Sequence, residues 1–178
     1  MNYVITGSLG HISKPLVQQL VQAKHHVTVI TSRAENAAAI EALGATAAVG
    51  SIEDATFITN TFAGADAVYL MIPPKWSVDN WYAYQQQVAD NYVAAIKQNN
   101  IPHVVLLSSI GAHLRKGAGP IDGLGYLEEQ LNTLTNTHSL FLRPSYFFYN
   151  LFTQIDLVKN AGIFGSKALG GLGGVSFG

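Results

Sequence analysis

The chain has 178 residues, no cysteine, six histidines and a formal net charge of −1, with 48% hydrophobic and only 12% charged residues. A disulfide framework, a cysteine nucleophile, a thiolate metal site and an iron–sulfur cluster are excluded. A near-neutral balance without a run of Lys or Arg argues against direct nucleic-acid binding.

A chain of this length buries roughly 70% of the surface that its unfolded form exposes, enough for one core. The first residues lack a basic segment followed by a long apolar one, and no apolar run reaches the roughly 20 residues of a membrane span. The expectation is a cytoplasmic protein with no membrane association.

Taken in chain order, short β-branched or aromatic runs alternate with longer segments whose apolar residues recur every three or four positions. The first strand is predicted at Tyr3–Thr6, the first helix at Ile12–Ala23 and the second strand at His26–Thr31. A helix near Asn36–Leu43, a strand at Thr46–Val49 and a helix at Ala55–Phe62 follow. The fourth strand, Ala67–Ile72, is nearly continuous in apolar residues, as expected where helices cover both faces of a parallel sheet. Asn80–Gln98 reads as a long amphipathic helix stopped by Pro102, with Val88, Tyr92, Ala95 and Ile96 on one face. The fifth strand is predicted at His103–Ser108. Lys116–Gly125, with four glycines and a proline, reads as a loop before a helix at Tyr126–Thr135, and the sixth strand falls at Ser139–Leu142. The alternation predicts a doubly wound parallel α/β sheet of Rossmann type in strand order 3-2-1-4-5-6.

The expected domain is 1–164. Residues 165–178 hold six glycines without periodic pattern, and should form a flexible or truncated tail rather than a packed element.

The first strand runs into Thr6-Gly7-Ser8-Leu9-Gly10-His11-Ile12-Ser13 and then a helix. Gly7 allows a tight turn. Gly10 lets the backbone approach a pyrophosphate, which the helix N-terminus favours. Ser13 stands where a third glycine would be, and is small enough for close helix–strand packing. Glycine turns also join strands to helices without any ligand, so the position of this one, opening a strand–turn–helix, carries the dinucleotide reading. The second strand ends at Ser32-Arg33, with no acid for a ribose hydroxyl pair. Arg33 beside Ser32 suits the 2′-phosphate of NADP(H) over NAD(H), against the alternative of an exposed loop arginine. No pair of histidines has metal-ligand spacing; His11 either lines the cofactor or merely occupies the first helical turn.

TGSLGHIS, TSRAENAAAIEALGATAAVGSIED, MIPP, VVLLSSIGAH and LRPSYFFYNL together resemble the NmrA-like group of atypical short-chain dehydrogenase/reductase proteins, over about residues 2–165. That group includes quinone and isoflavone-type reductases as well as redox-sensing regulators without chemistry. The resemblance implies that Gly7, Ser8, Gly10, His11 and Ile12 face the pyrophosphate and ribose. It puts Ser32 and Arg33 at the 2′ position and Ser51 and Ile52 near the adenine. Met71, Ile72, Pro73 and Pro74 would follow the ribose nearer the nicotinamide, and Ser108 would complete the cofactor set. It also implies that most of a C-terminal substrate-binding part lies outside these residues.

Related dehydrogenases pair a serine at the end of the fifth strand with a tyrosine followed four residues later by lysine, whose charge lowers the phenol pKa. Here Ser108 and Ser109 end the strand and Tyr126 lies on the next helix, but Gln130 replaces the lysine. Ser109 and Tyr126 are therefore the catalytic candidates, with Tyr126 as a plain helix residue the alternative. Tyr146, Phe147, Phe148 and Tyr149 either wall an apolar pocket for a flat acceptor, with Tyr146 and Phe147 touching it, or pack in the core. Three functions stay open: an NADPH-dependent oxidoreductase with a quinone-like or small carbonyl acceptor, a non-catalytic NADP(H) sensor, and a sugar-nucleotide epimerase. The expected partners are a small-molecule acceptor and either a second copy of the chain or a regulated protein.

Overall fold

A computed structural model of the chain describes residues 1–75, 77–114, 117, 119–145, 147–164 and 175–176. The chain divides into two compact units, Met1–Arg143 and Pro144–Gly178.

In the first unit, strands β1 (Asn2–Ile5), β2 (His26–Thr31), β3 (Thr46–Val49), β4 (Ala67–Leu70), β5 (His103–Leu107) and β6 (His138–Leu142) alternate with helices. These are α1 (Ser13–Gln22), α2 (Ala37–Glu41), α3 (Ala55–Thr61), α4 (Trp81–Asn99) and α5 (Asp122–Asn132). All six strands are parallel, in the order β3-β2-β1-β4-β5-β6. This is the Rossmann-type order that the strand–helix alternation predicts, and it places a crevice at the C-terminal ends of β1 and β4, where the strand order reverses.

Because side chains alternate across a strand, adjacent residues serve opposite faces. Val4, Val68 and Leu70 pack with Ile58, Phe62, Val88, Tyr92, Ile96 and Leu127 from α3, α4 and α5. Ile5 and Tyr69 face the other way, with Val17 and Ile40 from α1 and α2. β6 is an edge strand. Its Phe141 packs on the first cluster, while Leu140 and Leu142 stay 57% and 42% exposed on the opposite side.

Local chemistry sets the helix ends. The Asp54 carboxylate accepts from the backbone N–H groups of Thr56 and Phe57 at 2.9 and 3.0 Å, capping α3. Asn80 caps α4 through Ala83 N at 3.0 Å, and Asn100 closes α4 in the left-handed conformation.

The expected loop Lys116–Gly125 is corrected in its second half: α5 begins at Asp122, preceded by a 3-10 turn at Gly119–Ile121. The glycines there have a packing reason. Gly123 and Gly125 are buried, and a Cβ on Gly123 would overlap the Gln85 side chain of α4. Glycine thus admits a close α4–α5 approach rather than breaking the helix. Gly123→Ala is expected to destabilise the fold by about 1–3 kcal/mol, through overpacking of that contact, in urea denaturation.

The second unit holds a 3-10 segment at Phe148–Gln154, helix α6 (Ile155–Ala161), and a short antiparallel pair, β7 (Ile163–Phe164) with β8 (Val175–Ser176). Within the expected tail, residues 165–174 and 177–178 lie outside the described residues. Among the described residues no helix is long and apolar enough to cross a membrane.

Candidate functional site

Leaving β1, the chain turns through Gly7 at φ +89° and Ser8 at φ +55°. Thr6 anchors this turn to β4: its hydroxyl accepts from Met71 N at 2.8 Å. Ser13, buried at the place of a third glycine, donates its hydroxyl to Thr6 O at 3.2 Å. A Cβ on Gly7 would lie 2.9 Å from Met71 Cγ, so the turn admits only glycine. At Gly10 a Cβ would meet nothing closer than Gly7 O at 3.4 Å. The protein itself does not need glycine there, and its absence of a side chain leaves the cleft wall open. No side chain caps α1 and no acid stands in its first turn, leaving its amide dipoles to an anion.

Beside this turn, the end of β2 is tied by a knot of small polar groups. Ser8 Oγ donates to Thr31 Oγ1 at 3.1 Å, while Asn36 Nδ2 donates to both hydroxyls at 3.2 and 3.3 Å. Arg33 N donates to Thr31 Oγ1 at 3.2 Å. The knot holds Ser32 and Arg33 exposed at the lip, and the Arg33 guanidinium makes no hydrogen bond or ion pair among the described residues. Across from it, Gly50–Glu53 after β3 and Pro73–Lys75 after β4 form the other wall. Asn91 Nδ2 donates to Ile52 O at 3.1 Å, and Tyr84 donates to Pro73 O at 3.2 Å. Burial and then the Glu53 charge push the Tyr84 phenol up to about 12, so it stays a neutral donor. Lys75 Nζ bridges to both Glu53 carboxylate oxygens at 2.7 and 2.8 Å. Together these segments enclose a cleft of about 600 Å³ at the C-terminal ends of β1 to β4.

A second polar centre joins β5, α5 and β6. Ser108 donates its hydroxyl to Glu128 Oε1 at 2.5 Å, Arg143 Nε donates to the same oxygen at 2.9 Å, and Arg143 also grips Glu128 Oε2. Glu128 is only 5% exposed. Burial raises its pKa, but hydrogen bonds from Arg143 and Ser108 and the charges of Arg143 and His113 outweigh that and hold the carboxyl below its usual range.

A model of an NAD(P)H-binding family matches residues 7–132, well over half the chain and the whole of the glycine turn and cleft. The chain belongs to this NAD(P)H-binding family. Triphenylmethane reductase from a Citrobacter species is similar at 19% identity and TM-score 0.70, over 85% of this chain and 51% of its own. An NADPH-dependent quinone oxidoreductase of Escherichia coli, solved with NADPH, gives 17% and 0.71 over 85% and 52%. A nucleoside-diphosphate-sugar epimerase of Staphylococcus aureus gives 17% and 0.72 over 90% and 56%. At these identities the likeness is one of fold, and the chain spans about half the length of these solved proteins. Over 68 residues it is 35% identical to an uncharacterized protein of Schizosaccharomyces pombe, covering 38% of this chain and 23% of that one.

Within this NAD(P)H-binding fold, Gly7, Ser8, Gly10, Ser32, Arg33, Ser51, Ile52, Met71, Pro73 and Pro74 line the cleft. His11, Ile12, Ile72 and Ser108 lie outside the lining. His11 and Ile12 are exposed on the approach to α1. Ile72 alternates with its neighbours and turns into the core, and Ser108 is buried on Glu128. Asn36, Glu53, Lys75 and Tyr84, to which the sequence assigns no role, also line the cleft.

Of the catalytic candidates, Ser109 is half-buried and donates to Ile110 O at 3.1 Å. Tyr126 donates its phenol proton to Asp90 Oδ1 at 2.8 Å, and that hydrogen bond, followed by burial and the Asp90 charge, raises its pKa. This is opposite to the shift that a Tyr–Lys pair produces. Tyr146 lies outside the described residues. Phe147, Phe148 and Tyr149 are 41%, 82% and 51% exposed.

Proposed function

We propose that the cleft binds NADPH in preference to NADH, and that the protein is a cytoplasmic reductase carrying hydride from NADPH to a quinone-like or small carbonyl acceptor. The observation that carries the cofactor half is Arg33, an uncommitted guanidinium beside the Ser32 hydroxyl at the end of β2, where no acid is present. The donor set fits the group. Gly7, Ser8 and Gly10 with the uncapped α1 would receive the pyrophosphate, and Ser32 and Arg33 the 2′-phosphate. The nicotinamide supplies the hydride when bound; the chain's own work is to bind and orient it and to wall off water. Among the solved proteins of this fold two are described with NADP(H) and three with NAD, so Arg33 rather than the fold carries the preference.

One observation favours a second reading, a non-catalytic NADP(H) sensor acting on a partner protein. Tyr126 gives its proton to Asp90 and Gln130 stands in place of a lysine, so this phenol is raised rather than lowered. The same lack weighs against sugar-nucleotide epimerisation.

Calorimetric titration with NADPH and NADH, followed by NADPH oxidation against a panel of quinones and small aldehydes, separates these readings. Tight NADPH binding with turnover is the expected result. Tight binding without turnover leaves the sensor, and no binding of either dinucleotide removes both.

A further inference from the structure

We infer that His103 and His138 form a two-histidine seat for a nitrogen-preferring divalent transition ion such as zinc or nickel, at the end of the sheet opposite the nucleotide cleft. The inference is independent of the dinucleotide reading.

The two histidines are far apart in sequence, and the sheet brings them together. β5 and β6 run parallel, with His103 paired to His138 at the N-terminal ends of both strands. Residues paired across neighbouring strands point to the same face. Val104 and Phe141 pack in the cluster under α3, α4 and α5, so the alternation turns both histidines to the opposite side. Their ring centroids stand 5.7 Å apart, with the planes 24° from parallel. The backbone beneath them is fixed, because His138 N donates to Pro102 O at 2.8 Å and the Thr137 hydroxyl donates to Ile101 O at 2.9 Å.

Both residues are exposed, and neither imidazole makes a hydrogen bond or ion pair among the described residues. An incoming ion therefore has only water to displace. Two imidazoles on one tetrahedral ion, at metal–nitrogen distances of about 2.1 Å, hold their centroids roughly 5 Å apart. The observed spacing is close to that, and the remaining change is a turn of the rings about χ2, a soft torsion for histidine. Imidazole nitrogen suits zinc, nickel and copper, whereas magnesium and calcium prefer oxygen. Among the described residues no third His, Cys, Asp or Glu completes a cluster, so the other coordination positions fall to water. Affinity comes from the chelate: once one imidazole has bound, the second is held at a high effective concentration. Spacing along the chain cannot show such a pair, since its members come from different strands.

The test is calorimetric titration of the whole, untagged chain with nickel and zinc chlorides, with magnesium chloride as control. One site per chain is expected for nickel or zinc, and none for magnesium. His103→Gln and His138→Gln should each weaken that site at least about tenfold, and the double variant little further, because losing either arm removes the chelate. Replacing His25 and His26 together by Gln should leave it intact. Exposed substitutions of this kind disturb the fold little, so thermal midpoints without metal should stay close to that of the wild type. A nickel or zinc site that survives both single substitutions would overturn the inference, as would losses that simply add, the mark of independent imidazoles. Absence of any nickel or zinc site would overturn it as well.

Discussion

Arg33→Ala is expected to weaken NADPH binding about 10- to 100-fold while leaving NADH within about threefold, measured by calorimetry at fixed ionic strength. The magnitude is that of a charge-assisted hydrogen bond, about 1.5–3 kcal/mol. It should be close to fully expressed because Arg33 has no competing carboxylate among the described residues and leaves no buried group unpaired when removed. The backbone around it is held independently, by Thr31 Oγ1 on Arg33 N and by Asn36 on Thr31 and Ser8. The substitution therefore tests the charge rather than the loop. Equal losses for both cofactors would contradict the 2′-phosphate assignment.

Arg143→Met is expected to lower the thermal midpoint by roughly 10 °C, because it leaves the Glu128 carboxylate buried without its countercharge. The pair as a whole contributes far less than that, since two buried charges repay their desolvation only in part. Adding Glu128→Gln to Arg143→Met should therefore recover more than half of the loss. A double variant no more stable than Arg143→Met would contradict this account.

The pH dependence follows from the same carboxyl. In the wild type its pKa is depressed, so the stabilisation it contributes is present above the unfolded value of about 4.3 and is lost as pH falls through the lower, folded value. In Arg143→Met, burial is no longer outweighed and the carboxyl moves up. The stability gap between variant and wild type should then narrow as pH is lowered from 7 towards 5, followed by denaturant titration at each pH.

The sheet order is legible from sequence because each parallel strand needs a crossover helix, and six such alternations leave few topologies. The start of α5 is not legible, since Gly123 and Gly125 look like breakers until α4 is seen against them. The cleft is legible where a local motif exists, as at Gly7, Gly10, Ser32 and Arg33. It is not legible at Asn36, Glu53, Lys75 and Tyr84, which come from the connections after β2, β3 and β4 and from the first turn of α4 and meet only in the folded chain. Glu128 illustrates a different loss. It lies about 200° round the helix from Tyr126, and its partners, Ser108 and Arg143, stand just past the ends of β5 and β6, which no helical pattern can indicate.

The hydrogen bonds between Thr6 and Met71 join residues 65 apart in sequence. β1 is thus completed late: as the chain leaves the ribosome it can pair with β2 almost at once, but its other edge waits for β4, after a long and costly loop closure. Without β4 the cleft lacks the wall that Met71 and Pro73–Lys75 supply. Once β4 docks, a dinucleotide at 100 times its dissociation constant adds about 2.7 kcal/mol to the folded state. Cofactor binding therefore favours the state in which β4 is docked on β1, and a β1 without it carries an open strand edge available for mispairing.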